Sequence, residues 1–263
     1  MKKLVFDYEM RLSFSAPVTD HRFQLRCIPS TGPRQQVIDV EVKIQPETEL
    51  ETTIDSVVMT GFIPEPHDIF SYSVTGIAFV DNAHIHKEAY KPLYRFNSAL
   101  TIPGPNVEAM IAVCRERLAA LPSDATPVQQ AAEVMDEVYK AFVYTPGSTT
   151  IRTTAEQALA QRKGVCQDYA HVMLSVCRHV GLTARYIAGL LGGEGATHAW
   201  VEVYQDGRWV GLDPTHNRLV DDSYITIAHG RDYRDCMLDI GIFSGYNVQQ
   251  SQWVNASVHE QVA

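Results

Sequence analysis

No stretch of this sequence stays apolar for long. After Met1, Lys2 and Lys3 the first hydrophobic run ends at Phe6, where Asp7 interrupts it. No later run approaches the roughly 20 residues of a membrane span, and the opening run is too short for the core of a secretory signal. The expectation is a cytoplasmic protein with no membrane partner. Positive charge is scarce as well: 22 Lys and Arg stand against 31 Asp and Glu, a formal net charge of −9. With no basic run, the electrostatics argue against a nucleic acid or an anionic membrane surface as partner. Cysteines are few and odd in number, at positions 27, 114, 166, 177 and 236, with no C-x-x-C spacing. That argues against a disulfide framework or a zinc ribbon and for reduced thiols. What is there is ordinary for a soluble globular chain: 45% hydrophobic and 20% charged residues. The 263 residues suffice for one large or two modest domains.

The composition changes along the chain. FDYEMRLSF alternates, with Tyr8, Met10, Leu12 and Phe14 on one side, and HRFQLRCI, QVIDVEVKI, ELETTIDSVVM and DIFSYSVTGIAFV follow at strand spacing. In QVIDVEVKI the alternation sets Ile38, Val40, Val42 and Ile44 against Val37, Asp39 and Glu41. This half reads as an antiparallel, sandwich-like β-domain over residues 1–100. KPLYRFNSALTIPGP then connects to helical patterns in PNVEAMIAVCRERLAALP and TPVQQAAEVMDEVYKAF, each opening near a proline. TTAEQALAQRKG reads as a shorter helix with Thr153 and Glu156 as a capping box. The second unit is placed at 101–263, giving an α+β chain.

RKGVCQDYAHVML leads a glycine and a cysteine into another helix. If it begins at about Val165, then Cys166, Ala170, Met173, Leu174 and Cys177 form one apolar stripe, with Cys166 at its N-terminal end. Unpaired N–H groups and the positive end of the helix dipole favour a thiolate there. Gly164 leaves room for a substrate backbone to approach. A cysteine on an apolar stripe is more often a small core residue, and Cys27, Cys114 and Cys177 read that way. A base is needed before Cys166 reads differently.

THAWVEVYQDGRWVGLDP supplies one. Two alternating strands flank Asp206-Gly207, a strong hairpin signal. Placing that pair in the turn puts His198, Trp200 and Asp213 on one sheet face, with Asp213 the diagonal neighbour of His198. Singly, a structural histidine and a turn-forming aspartate are the plainer readings. Jointly, a thiol at a helix mouth with a histidine and a carboxylate on one hairpin face fits nucleophilic catalysis. His198 takes the thiol proton and Asp213 orients the ring.

GVCQDYAHVMLSVCRHVGLTARYIAGLL and THAWVEVYQDGRWVGLDPTHN resemble the transglutaminase-like core of bacterial thiol enzymes, and HGRDYRD resembles a segment of the same subgroup. The β-rich half is similar, more loosely, to the domain that precedes that core. The resemblance implies a papain-like arrangement, a central helix packed on an antiparallel sheet, with Cys166, His198 and Asp213 as catalytic set. It implies acyl transfer on a peptide or protein amide through a thioester, as a cysteine protease or amidase, with no cofactor and no metal. The backbone N–H of Cys166 is the expected oxyanion donor; Tyr144 and Trp200 are candidates for a second, and Asp168 for a substrate contact. Protein-glutamine crosslinking is the alternative enzyme, although Asp221-Asp222 and the acids of 47–51 lack the spacing of a calcium loop. A catalytically silent peptide-binding module is a third reading. A metal site from Cys166, His171, His198, Asp213 and His216 is disfavoured, because His171 falls about 140° around the helix from Cys166.

Overall fold

The computed structural model describes residues 1–52, 58–83 and 86–261. Five strands open the chain: β1 (Lys2–Leu25), β2 (Gln35–Gln45), β3 (Leu50–Thr52), β4 (Met59–Ile63) and β5 (His67–Val80). Of the expected strand ELETTIDSVVM, positions 53–57 lie outside the described residues. Helices α1 (Pro105–Ala119) and α2 (Pro127–Ala141) follow, then β6 (Val143–Tyr144), α3 (Ala155–Gln161), β7 (Lys163–Gly164) and α4 (Cys166–His179). The remainder is β8 (Ala184–Leu191), β9 (Gly193–Gly195), β10 (His198–Gln205), β11 (Arg208–Asp213), β12 (Arg218–Leu219), β13 (Tyr224–Gly230), β14 (Asp239–Ser244) and β15 (Gln250–Glu260). The chain is α+β, as its sequence implies.

Strand β1 changes partners halfway. Its first half lies between β5 and β15, and its second half between β4 and β14, with a register shift between Ser13 and Val18. One eight-stranded antiparallel sheet therefore curls over itself. Alternation fills the interior: Leu4, Phe6, Tyr8, Met10, Leu12 and Phe14 are all buried. In β2 the expected alternation slips. Asp39 adopts a left-handed backbone and the register shifts between Ile38 and Glu41, so Ile38 faces out while Val40, Val42 and Ile44 turn inward. Positions 239–260, grouped by composition with the second half, return to this first sheet through β14 and β15.

The second sheet runs β12-β11-β10-β8-β13 and is antiparallel throughout. Helix α4 packs on it and against the other three helices, and is buried all round from Asp168 to Arg178. Burying each large apolar side chain contributes about 1.5–3 kcal/mol, so Met173, Leu174 and Val176 fix the helix firmly. The capping box of α3 uses Thr154 and Gln157, one residue later than Thr153 and Glu156. Glu156 instead accepts the Asn106 and Val107 N–H groups at the start of α1. The HGRDYRD segment clasps α4: Tyr233 N–H donates to His171 Nε2, and Arg178 donates to the Arg231 carbonyl. Among the described residues no helix is long and apolar enough to cross a membrane.

Candidate active site

Helix α4 starts where it does because Asp168, in its first turn, turns back on the chain. Its Oδ2 accepts the Val165 N–H at 2.8 Å and the Thr149 hydroxyl at 2.6 Å. Burial is the main influence on this carboxyl and pushes its pKa up, against those two hydrogen bonds. A Cβ on Gly164 would stand 2.7 Å from the Asp168 side chain. The space expected for a substrate backbone at Gly164 is thus occupied by Asp168, and the glycine serves the helix start. Asp168, almost fully buried, is a structural cap rather than an open contact. Cys166 follows as the first helical residue, where a backbone N–H has no intrahelical acceptor. It is the one partly exposed cysteine; the other four are buried. Burial pushes the Cys27 and Cys114 thiols up to about 12, which suits core packing and not nucleophilic work.

The hairpin forms with the expected register. Asp206 and Gly207 both have positive φ, 51° and 81°, and Gln205 pairs with Arg208 and Val201 with Leu212. His198 Nε2 then meets Asp213 Oδ2 at 2.8 Å. Asp213 is fully buried and receives four further bonds. Oδ2 also meets His216 Nδ1 and the Tyr224 hydroxyl, each at 2.7 Å, while Oδ1 accepts the Thr215 and His216 N–H groups. The Tyr224 hydroxyl in turn accepts from Arg218 Nε at 2.8 Å. Burial alone would raise the Asp213 pKa, but its bonds to His198, His216 and Tyr224 hold it far below the usual carboxylate range. An ionised carboxylate only accepts, so His198 Nε2 carries hydrogen and Nδ1 is left for a second partner.

Cys166 stands beside it: its thiol is close enough to raise the His198 pKa, and its Sγ lies 4.0 Å from the carbonyl of Thr197, the residue before the histidine. Burial opposes charge on the His198 ring more than any other influence, yet the bonds to Asp213 and Cys166, with their charges, together lift it to about 9. The three residues singled out from sequence are therefore brought together. Tyr144 stands half-exposed beside Cys166; burial, then the nearby thiol, raises its pKa. Trp200 packs on His198, ring centroids 6.3 Å apart, within a buried cluster with Ile187 and Tyr224. Its indole N–H has no partner among the described residues and is closed off from the cleft. His171 is fully buried at the far side of α4, bonded to the Tyr233 N–H.

The ligating atoms of His198, Asp213 and His216 lie within 4.8 Å of one another. All three are already hydrogen-bonded among themselves, and neither Cys166 nor His171 belongs to the group. Tyr224 and Arg218 were not foreseen. His216 was foreseen only as a metal ligand, although the D-P-T-H run, turning back at Pro214, offered a local hint that it meets Asp213. Tyr224 arrives from β13, which pairs with β8 and not with the hairpin, so no spacing in the sequence announces it.

Comparison with known proteins bears on the family and the fold. Residues 115–214 match the family described as the transglutaminase-like superfamily, and residues 6–78 match the bacterial transglutaminase-like N-terminal region. These matches put the chain in the transglutaminase-like superfamily. An uncharacterized protein of Mycobacterium tuberculosis is 42% identical over 119 residues, 39% of this chain; the match spans only 38% of that relative's length. An uncharacterized Mycobacterium leprae protein is 29% identical over 263 residues, covering 88% of this chain and 90% of the relative. Shorter matches reach two named enzymes. One is a peptide-N(4)-(N-acetyl-beta-glucosaminyl)asparagine amidase of Drosophila melanogaster, 30% identical over 40% of this chain and 16% of the amidase. The other is a protein-glutamine gamma-glutamyltransferase of Pseudomonas aeruginosa, 33% identical over 30% of this chain and 14% of the enzyme. Among solved structures, a proposed cysteine protease from Cytophaga hutchinsonii superposes with a TM-score of 0.78 at 20% identity, covering all of this chain and 91% of its own. At that identity the likeness speaks for the fold.

Proposed function

We propose that this protein is a thiol enzyme that cleaves peptide or protein amide bonds through a Cys166 thioester, with Cys166, His198 and Asp213 as its catalytic residues. The observation that carries the reading is the arrangement around His198. Its Nε2 is tied to a buried Asp213 held ionised, its other nitrogen is not used by that bond, and the Cys166 thiol at the helix mouth acts on the same ring. His198 Nδ1 takes the thiol proton and the thiolate attacks the amide carbon. The Cys166 N–H stabilises the oxyanion, and removing such a donor costs on the order of a hundredfold in rate. As the C–N bond breaks, Nδ1 returns its proton to the leaving amine. Water then adds to the thioester, its proton passes to Nδ1, and acid and free thiol are restored. An amine in place of that water gives crosslinking instead, and the partial likeness to the Pseudomonas glutamyltransferase keeps that second reading open.

Incubation with casein and a fluorescent amine separates the two. Fragments that depend on Cys166, without incorporated label, support hydrolysis; label without fragments supports crosslinking. If wild type and Cys166→Ala give neither product at any pH between 5 and 9 across a peptide library, the silent-module reading takes its place.

A further inference from the structure

Asp213 Oδ2 is crowded. A carboxylate oxygen has two lone pairs, yet three side-chain donors converge on this one: His198 Nε2 at 2.8 Å, His216 Nδ1 at 2.7 Å and the Tyr224 hydroxyl at 2.7 Å. Orienting His198 requires only the first. The carboxylate is also already fixed from its other side, where Oδ1 holds two backbone N–H groups in the turn after Pro214. Tyr224 and His216 therefore contribute little that orientation alone would need. What they do change is charge: each donor that shares Oδ2 takes part of the negative charge that His198 faces. Arg218 Nε, donating to the Tyr224 oxygen, makes that hydroxyl a stronger donor.

We propose that Tyr224 and His216 are positioning residues of a particular kind: by sharing the Asp213 carboxylate they weaken its grip on the His198 imidazolium. The inference rests on the proposed function, in which His198 must release its proton to a leaving amine. A general acid works best when its pKa is near the working pH, and an imidazolium held too tightly keeps its proton. The groups that face His198 are Cys166 from α4, Asp213 from β11, His216 from the turn after it and Tyr224 from β13, with Arg218 of β12 behind Tyr224. Cys166 and Asp213 favour the charged ring; Tyr224 and His216 act on it by drawing on Asp213.

The test is a histidine NMR titration of the full chain, with the His198 signal assigned by its loss in His198→Gln, alongside turnover of the casein substrate. The wild-type His198 midpoint is expected near 9. Tyr224→Phe keeps the ring's packing and removes only the donor; it raises the His198 midpoint by about half to one pH unit, and kcat falls while KM holds. His216→Ala, at a half-exposed position, moves the midpoint the same way. His216→Asn, whose amide can replace the Nδ1 donor without an imidazole, restores it. An unmoved midpoint in both Tyr224→Phe and His216→Ala overturns the inference, and so does a downward shift, which would mean that these residues merely hold Asp213 in place. A wild-type midpoint at or below that of a free imidazole, about 6.5, would instead defeat the thiolate–imidazolium pairing on which the proposed function stands. Thermal melting of each variant separates loss of fold from these outcomes.

Discussion

Buried histidines occur in both sheets of this molecule, in opposite electrical condition. In the curled sheet His21 and His67 stack with centroids 5.3 Å apart and share a bond of 3.1 Å between Nδ1 and Nε2. Phe14, Phe23, Phe70 and Phe243 surround His21, and among the described residues no carboxylate bonds to either ring. Burial, with repulsion from His67, drives the His21 pKa down to about 4. At the start of β10 in the second sheet His198 is also buried, yet it is lifted to about 9. What lifts His198, and what His21 lacks, is a buried carboxylate and a thiol. Burial by itself makes a histidine neutral; burial beside a carboxylate held ionised favours the charged ring.

The largest break in that comparison comes from the thiol. Cys166→Ala is expected to lower turnover on the order of 10⁴-fold or more while leaving the melting temperature within a few degrees, since the residue is partly exposed. Next is Asp213→Asn, which moves His198 toward the condition of His21. Its NMR midpoint should fall below about 6.5, and turnover should drop on the order of a thousandfold or more. A midpoint still near 9 in that variant would mean that the carboxylate is not what sets the ring.

The pH dependence of stability sharpens the contrast, because the two sites have opposite sign. His21 titrates in the folded protein below the unfolded value of about 6.5, so its contribution is present above that pH and is lost as pH falls toward 4. His171, which burial also pushes down to about 4, adds to the same acid slope. His198 titrates above its unfolded value, so its contribution is present below about 6.5 and is lost as pH rises through 9. Denaturant melts should show His21→Phe flattening the acid limb and His198→Gln flattening the alkaline one. The smallest expected effect touches neither site. Glu156→Ala removes the acceptor for the first N–H groups of α1 and should cost about 1 kcal/mol, with no movement of the His198 signal.

The comparison also explains what the sequence could disclose. Local patterns were legible: the alternation of β1, the prolines opening α1 and α2, and above all Asp206-Gly207, whose two-residue turn fixes which residues face each other and so brings His198 to Asp213. The helix start at Cys166 was legible for the same reason. Contacts made across the fold were not. Tyr224 reaches Asp213 from the far edge of the sheet, and Asp168 fills the space beside Gly164 because of a loop contact with Thr149. The bulge at Asp39 reversed the facing of Ile38, since an extra residue in a strand leaves no mark on its hydrophobic pattern until its partner is known. The return of β14 and β15 to β1 belongs to the same class: an isolated strand carries no label for the sheet that it joins.

The central claim, that Asp213 acts through His198 to keep Cys166 ready for attack, is tested most directly by the rate of Cys166 alkylation by iodoacetamide at pH 6, followed by mass spectrometry in wild type and Asp213→Asn. The account predicts rapid modification in the wild type and at least a tenfold slower rate in the variant. Equal rates in the two proteins would contradict it.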